Sequence, residues 1–320
     1  MQKGEITMET IVKTYLSKLK IGDPITHENM TVFPLFHETV LGPNYLTLDE
    51  AIDSKSISVE EIGKEGSVPD IKVVNRSGEY VLLLDGEEVA GAKQNRIINT
   101  SILIQAMTEI VIPVSCTEAG RWSYRSRKFG SSGHISPHYL RSMSSSDISK
   151  SLKEKMGYKG SQGRVWGAIA AMFDASDSYS PTAAMKDMYE QKSRDLDGYL
   201  EAFECLPGQV GCVLCIGGDV QSAETLSRED AYRKLHHKIV KSCAMDATWR
   251  KDTGEGRPDH EAVEAFLREV EASKESRYDS VGEGHDFRYE GKEFVGAALV
   301  AKDAVVHSAY FRLDSGDINA

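Results

Sequence analysis

Residues 81–104 read VLLLDGEEVAGAKQNRIINTSILI. Apolar runs of strand length at 81–84 and 97–104 enclose a connection carrying Asp85, Glu87, Glu88, Lys93 and Arg96 with the amides Gln94 and Asn95. A plain turn needs none of these charges, so the stretch reads as strand, polar segment, strand. If the first strand carried on past Gly86, Glu87, Lys93 and Asn95 would share one face, and Glu88, Gln94 and Arg96 the other. The small residues Gly86, Ala90, Gly91 and Ala92 leave room for a second backbone or a ligand to come close.

Strand patterns continue on both sides, at 31–36, 56–62, 71–74 and 109–114, and Asn75-Arg76-Ser77-Gly78 reads as a hairpin turn. An amphipathic helix is expected over 6–20, ended by Gly22. Residues 123–146, SYRSRKFGSSGHISPHYLRSMSSS, have few apolar anchors and read as a long loop. Helical spacing follows at 148–156, 162–173 and 182–203, the last with Ser180 as N-cap, then at 228–247 and 259–272. The continuous apolar run 210–216 reads as a buried strand, and Lys302-Asp303 as the turn of a closing hairpin. The expected class is α+β: an N-terminal, mainly antiparallel β-sheet (meander or sandwich) packed with a largely helical second half and a C-terminal β-hairpin. The expected organisation is an N-terminal arm over 1–22 and one α+β domain over 23–320, β-rich at 23–122, helix-rich at 136–275, with the hairpin at 292–313.

The chain has 320 residues and a formal net charge of -11. That charge argues against holding extended nucleic acid by counterion release, while a local basic site for a small anionic ligand remains open. No apolar run reaches the ~18 to 20 residues that span a bilayer, and the N-terminal stretch lacks a secretory pattern, so neither membrane contact nor export is expected and the address reads as cytoplasmic. Five cysteines are too few and too scattered for a disulfide framework. Cys212 and Cys215 have CxxC spacing, but in a strand they would point to opposite faces.

Chemistry concentrates in two places. In residues 85–96 the carboxylates of Glu87 and Glu88 are candidates for general base or ligands of a divalent cation. Lys93 and Arg96 are candidates for phosphate or carboxylate, and Gln94 and Asn95 for a base or ribose edge. Residues 112–122, IPVSCTEAGRW, end a second strand in Cys116, Glu118, Arg121 and Trp122. Cys116 is a candidate catalytic thiol, Glu118 a base or metal ligand, Arg121 an anion clamp and Trp122 a stacking surface. Each has a structural counterpart: Glu–Arg and Glu–Lys pairs that satisfy the backbone of a bulged connection, a buried inert thiol, a surface Glu118–Arg121 pair, and a core Trp. His134 and His138 are four apart, but Pro137 argues against a shared helix face, and Gly217-Gly218-Asp219 is a weak phosphate-cradle pattern.

The motifs LLLDGEEVAGAKQNR, IPVSCTEAGRW, SQGRVW, SPT and GQVGCVLCIGGD together resemble the ARG and Rhodanese-Phosphatase-superfamily-associated protein domain family, ARG standing for ADP-ribosylglycohydrolase. The likeness runs from about residue 32 to residue 313, departing at Val89 and Ala119. It implies an association with NAD- or ADP-ribose-linked metabolism and brings no assigned catalytic residue. Among the matched positions it adds Gln162 to the ligand-binding candidates. The expected function is binding or hydrolysis of a small phosphorylated nucleotide. The competing expectation is a non-catalytic structural or regulatory assembly module whose polar clusters are buried ion-pair networks. Homo-oligomer formation is compatible with either.

Overall fold

A computed structural model describes residues 8–38, 42–63, 67–250 and 257–313. In chain order its elements are α1 (Met8–Leu16), β1 (Lys20–Ile21), β2 (Ile25–His27), β3 (Met30–Phe36), β4 (Tyr45–Thr47), α2 (Leu48–Asp53), β5 (Ile57–Glu61), β6 (Asp70–Asn75), β7 (Tyr80–Leu83), β8 (Glu87–Gly91), β9 (Arg96–Ile98), β10 (Ile102–Ile104), β11 (Thr108–Cys116) and β12 (Lys128–Ile135). There follow α3 (His138–Lys153), α4 (Gln162–Ser176), α5 (Met185–Gln191), α6 (Ser193–Ala202), β13 (Gln209–Ile216), β14 (Asp219–Leu226), α7 (Glu229–Trp249), α8 (His260–Ala272), β15 (Lys274–Asp279), β16 (His285–Glu290), β17 (Phe294–Ala301) and β18 (Ala304–Arg312). The class is α+β.

The N-terminal antiparallel strands close on themselves into a barrel in the order β11-β6-β5-β12-β8-β9. Alternate side chains fill it: Val59, Val73, Val89, Ile98, Ile112, Val114 and Phe129 are all buried in one cluster. Beside it lies the three-stranded sheet β10-β7-β4. The second sheet is nine-stranded, ordered β1-β3-β13-β14-β18-β17-β16-β15 with β2 also on β3. Helices cover both of its faces. Cys212, Leu214 and Ile216 pack with residues of α3 to α7, whereas Val213 and Cys215 pack with Val12 of α1 and Phe266 of α8. Burial on both faces explains why β13 is a continuous apolar run, and the two cysteines of the CxxC do face opposite ways.

Several expectations change. The loop expected over 123–146 contains β12 and the start of α3; β12 closes the barrel by pairing with β5 and β8, bulged between Ser131 and Ile135. Asn75 to Gly78 form no hairpin, because β6 pairs with β5 and β11 while β7 pairs with β4 and β10. The N-terminal helix is shorter than 6–20, its first two expected residues lying outside the described ones. Ser180 does not cap a helix at residue 182: its Oγ accepts from the Ala184 amide, and α5 begins at Met185. Gly217 and Gly218, both at positive φ, are the tight turn joining β13 to β14 rather than a phosphate cradle. Lys302 and Asp303 turn the closing hairpin as expected, both left-handed at φ 51° and 59°.

Candidate functional site

The polar run does not continue as a strand. Gly91, at φ 121°, ends β8, Ala92 is left-handed, and the chain returns as β9 with Glu88 opposite Ile97. Its side chains are therefore dealt to five different neighbourhoods instead of two faces.

Glu87 turns toward α7: Oε1 takes the Lys238 ammonium at 2.9 Å and Oε2 accepts from the Leu84 amide. Lys238 is fully buried and is also bound by Asp49. Glu88 lies on the opposite side, taking the Thr117 hydroxyl at 2.6 Å while its other oxygen is buried with no partner. Burial pushes its carboxyl up to about 7, against the pull of the Thr117 and Ser132 hydroxyls. A carboxyl bound more tightly to its proton in the folded state than near pH 4.5 in the unfolded chain lends stability that is full below pH ~4.5 and lost as pH rises through ~7. Glu88→Gln is therefore expected to be more stable than wild type at pH 8 by on the order of 2–3 kcal/mol. Denaturant titrations of both proteins at pH 5 and pH 8 check this; an advantage no larger at pH 8 would disprove it.

Glu118 and Arg121 spend their polar atoms on each other and on the backbone. Arg121 donates Nε to Glu118 Oε1 at 2.8 Å and Nη2 to Oε2 at 2.6 Å. Nη1 serves the Ala92 and Ser123 carbonyls, and Nη2 also reaches Gly91 O and Asn95 Oδ1. Glu118 also accepts from Thr182 Oγ1 and the Asn95 amide, and Gln94 donates to the Glu118 carbonyl. Burial raises the Glu118 carboxyl, but the Arg121 hydrogen bonds and charge hold it below the usual carboxylate range. This cluster is a staple between the β8–β9 turn and the chain leaving β11, in which Glu118 and Arg121 are fully bonded while Asn95 Nδ2 is buried without a partner. Gln162 plays a similar part, clamping both backbone groups of Cys116 with its side-chain amide at 2.7 and 2.9 Å.

The remaining candidates meet at one end of the barrel. Arg96 is 0% exposed, and its Nε and Nη2 are buried without a hydrogen-bond partner. Nη2 has only a 3.7 Å ion-pair contact with Glu61 Oε1, and Glu61 Oε2 is itself unpartnered. Over this guanidinium lies the ring of Trp122, 5.7 Å away; the same ring and that of Tyr124 flank the Lys93 ammonium at 5.1 and 5.3 Å. Trp122 is 48% exposed and so forms the outer surface of the site rather than core. Burial pushes the Cys116 thiol up to about 11 although Arg96 pulls it down, so the thiol keeps its proton at neutral pH.

A second polar centre gathers residues that sequence reasoning passed over. Asp85 opens the quoted connection, and it faces Ser101, Arg141 of α3, Glu224 of β14 and His307 of β18. Arg141 binds Glu224 through both terminal nitrogens, at 2.7 and 2.9 Å, and Asp85 at 3.2 Å. His307 Nε2 is 2.9 Å from Glu224 Oε1 and its Nδ1 2.9 Å from Ser101 Oγ, which lies 3.1 Å from Asp85 Oδ1. Burial alone would raise the Glu224 carboxyl, but the Arg141 charge and the bonds from His307 and Arg141 hold it at about 2. Gly86, at φ 77°, lets the chain pass close: a Cβ there would sit 2.6 Å from Ser136 Oγ and 3.0 Å from Arg141 Cγ. The centre lines a cavity of about 20 Å³, room for roughly one water. One sequence signal could have found it: Glu224 and His307 are ionisable residues within strands otherwise built for burial.

Among the described residues, Asp85, Glu224 and His307 alone bring three metal-binding side chains within 4.8 Å of one another. Arg141 donates to both carboxylates there, setting one positive charge beside the two acids. Glu87, Glu88 and Glu118 form no such group. His134 stacks on Tyr189, whereas His138 is bound to the Gln221 carbonyl, so the two histidines have separate partners.

The architecture is that of an α+β protein in which a signature turn feeds two buried polar centres. The chain belongs to the ARG and Rhodanese-Phosphatase-superfamily-associated Protein domain family, whose model matches residues 18–311. The family name associates it with the ADP-ribosylglycohydrolase and rhodanese–phosphatase superfamilies. No curated protein and no solved structure gives a match. No described helix is long and apolar enough to cross a membrane.

Proposed function

We propose that the barrel mouth binds a small phosphorylated nucleotide of the ADP-ribose type. The observation that carries this is Arg96: a guanidinium wholly removed from water with two nitrogens lacking hydrogen bonds. A buried donor without an acceptor costs about 1–3 kcal/mol, more when charged. A phosphate placed against Nε and Nη2 would satisfy both in the forked geometry arginine favours. Trp122 offers a half-exposed ring for a base to stack on, and Lys93 a second positive charge. Entry requires the Trp122 ring to swing aside; the cation–π contacts that hold it are worth about 0.5–1 kcal/mol each at an exposed site, less than the charge-assisted bonds gained. Where hydrolysis accompanies binding, Glu61, with one buried oxygen unpartnered beside Arg96, is the carboxylate placed to activate water. The protonated Cys116 is ill suited to attack.

Isothermal titration with ADP-ribose, NAD and nucleoside diphosphates tests the reading. Heat is expected with ADP-ribose, weakened about tenfold or more, ~1.4 kcal/mol, in Arg96→Lys and in Trp122→Ala. No heat with any of these ligands at millimolar concentration, or undiminished affinity in Arg96→Lys, would overturn it. A second reading, a non-catalytic structural or regulatory assembly module, draws support from the saturated Glu118–Arg121 staple. It predicts that these ligands leave the melting temperature unchanged.

A further inference from the structure

Ser101, His307 and Glu224 stand in a chain of hydrogen bonds: Ser101 Oγ to His307 Nδ1 at 2.9 Å, and His307 Nε2 to Glu224 Oε1 at 2.9 Å. We propose that this is a nucleophilic triad and that Ser101 accepts a short, unbranched acyl group from an ester. The arrangement has what nucleophilic catalysis needs: a hydroxyl in contact with an imidazole, and an ionised acid that orients the imidazole. The two ring nitrogens exchange the places they hold in the familiar serine proteases, which leaves the proton path intact because a neutral imidazole accepts at one nitrogen while donating at the other. Glu224 is fixed by the paired donors of Arg141, so the imidazole is held in register with Ser101. Asp85 Oδ1, 3.1 Å from Ser101 Oγ, competes for the same hydroxyl proton, and rotation about one C–O bond switches between the two acceptors.

The cavity points to what would be attacked. Ser136 and Ser144 line it, and their hydroxyl oxygens are buried with no partner, leaving two donors for a developing oxyanion. At about 20 Å³ it has room for little more than the reacting carbonyl, so the acyl group must be of the smallest size with the leaving alcohol on the side of the part-exposed Asp85. In the reaction Ser101 Oγ bonds to the acyl carbon as its proton passes to His307 Nδ1. The bond to the leaving alcohol oxygen then breaks, and His307 returns the proton to that oxygen. Water, deprotonated by His307, releases the acid and regenerates Ser101. None of these residues belongs to the barrel mouth, so this inference does not depend on nucleotide binding there.

A short-chain alkyl fluorophosphonate provides the test. Ser101 Oγ would bond to phosphorus, fluoride would leave, and His307 would take the hydroxyl proton. Expected is one adduct, mapped by peptide mass spectrometry to Ser101, absent from Ser101→Ala of native circular dichroism, and forming faster as pH rises, as attack assisted by a general base requires. His307→Gln should slow labelling about a hundredfold or more. Should that variant fail to fold, the pH profile of the wild type still reads the base. No adduct on prolonged exposure, an adduct elsewhere, or a pH-independent rate would overturn the proposal.

Discussion

Arg141→Met is expected to be the most destabilising single substitution in this protein, with a loss at least equal to the about 3–5 kcal/mol that follows removal of one partner from a buried ion pair. The reason is its double duty: one guanidinium pairs with both Asp85 and Glu224, the latter fully buried. Wild-type Glu224, held at about 2 against an unfolded value near 4.5, contributes stability that is present above pH ~4.5 and lost as pH falls toward 2. Without Arg141 that contribution disappears and burial favours the protonated acid. The deficit should accordingly shrink between pH 7 and pH 5, a signature that separates lost charge compensation from lost packing over the Phe311 ring. Denaturant unfolding at the two pH values measures it; a deficit independent of pH would mean that packing dominates.

Arg121→Ala comes next, at about 3–5 kcal/mol, because Glu118 is then left buried without its bidentate partner while the Ala92 and Ser123 carbonyls lose their donor. The double variant Glu118→Gln/Arg121→Met removes both charges and should recover a substantial part of the loss. Thermal melts of the two variants beside wild type check this. A double variant no better than Arg121→Ala would show that the carbonyl contacts, rather than the charge pair, hold the turn.

How much of this was legible in the sequence follows from where the information sits. β13 was visible because helices on both faces make it uniformly apolar, and the β17–β18 turn because Lys302-Asp303 separates two apolar runs. β12 was not, because KFGSSGHI has only Phe129 and Ile135 as deeply buried anchors and its bulge breaks the period of two. The first half of α3, read as loop where the expected helix began only at residue 148, hid for a similar reason: its buried face includes Arg141, Ser142 and Ser145, which carry no hydrophobic stripe. At the site, Lys93, Arg96, Cys116 and Trp122 converge as neighbouring strand ends allow. Asp85 finds its partners at positions 101, 141 and 307, and no local pattern announces which distant charges will meet.

The pairing of β3 with β13 carries a consequence for biosynthesis. Phe33 meets Val213 across that ladder, so a strand made early waits for one made some 180 residues later. At about 5–20 residues per second that is on the order of ten seconds or more during which its edge is open on the ribosome. Barrel closure waits in the same way for β12. The nascent chain must therefore be shielded until synthesis is well advanced, which makes slow production and holding chaperones, rather than any change in sequence, the first means of raising the yield of native protein.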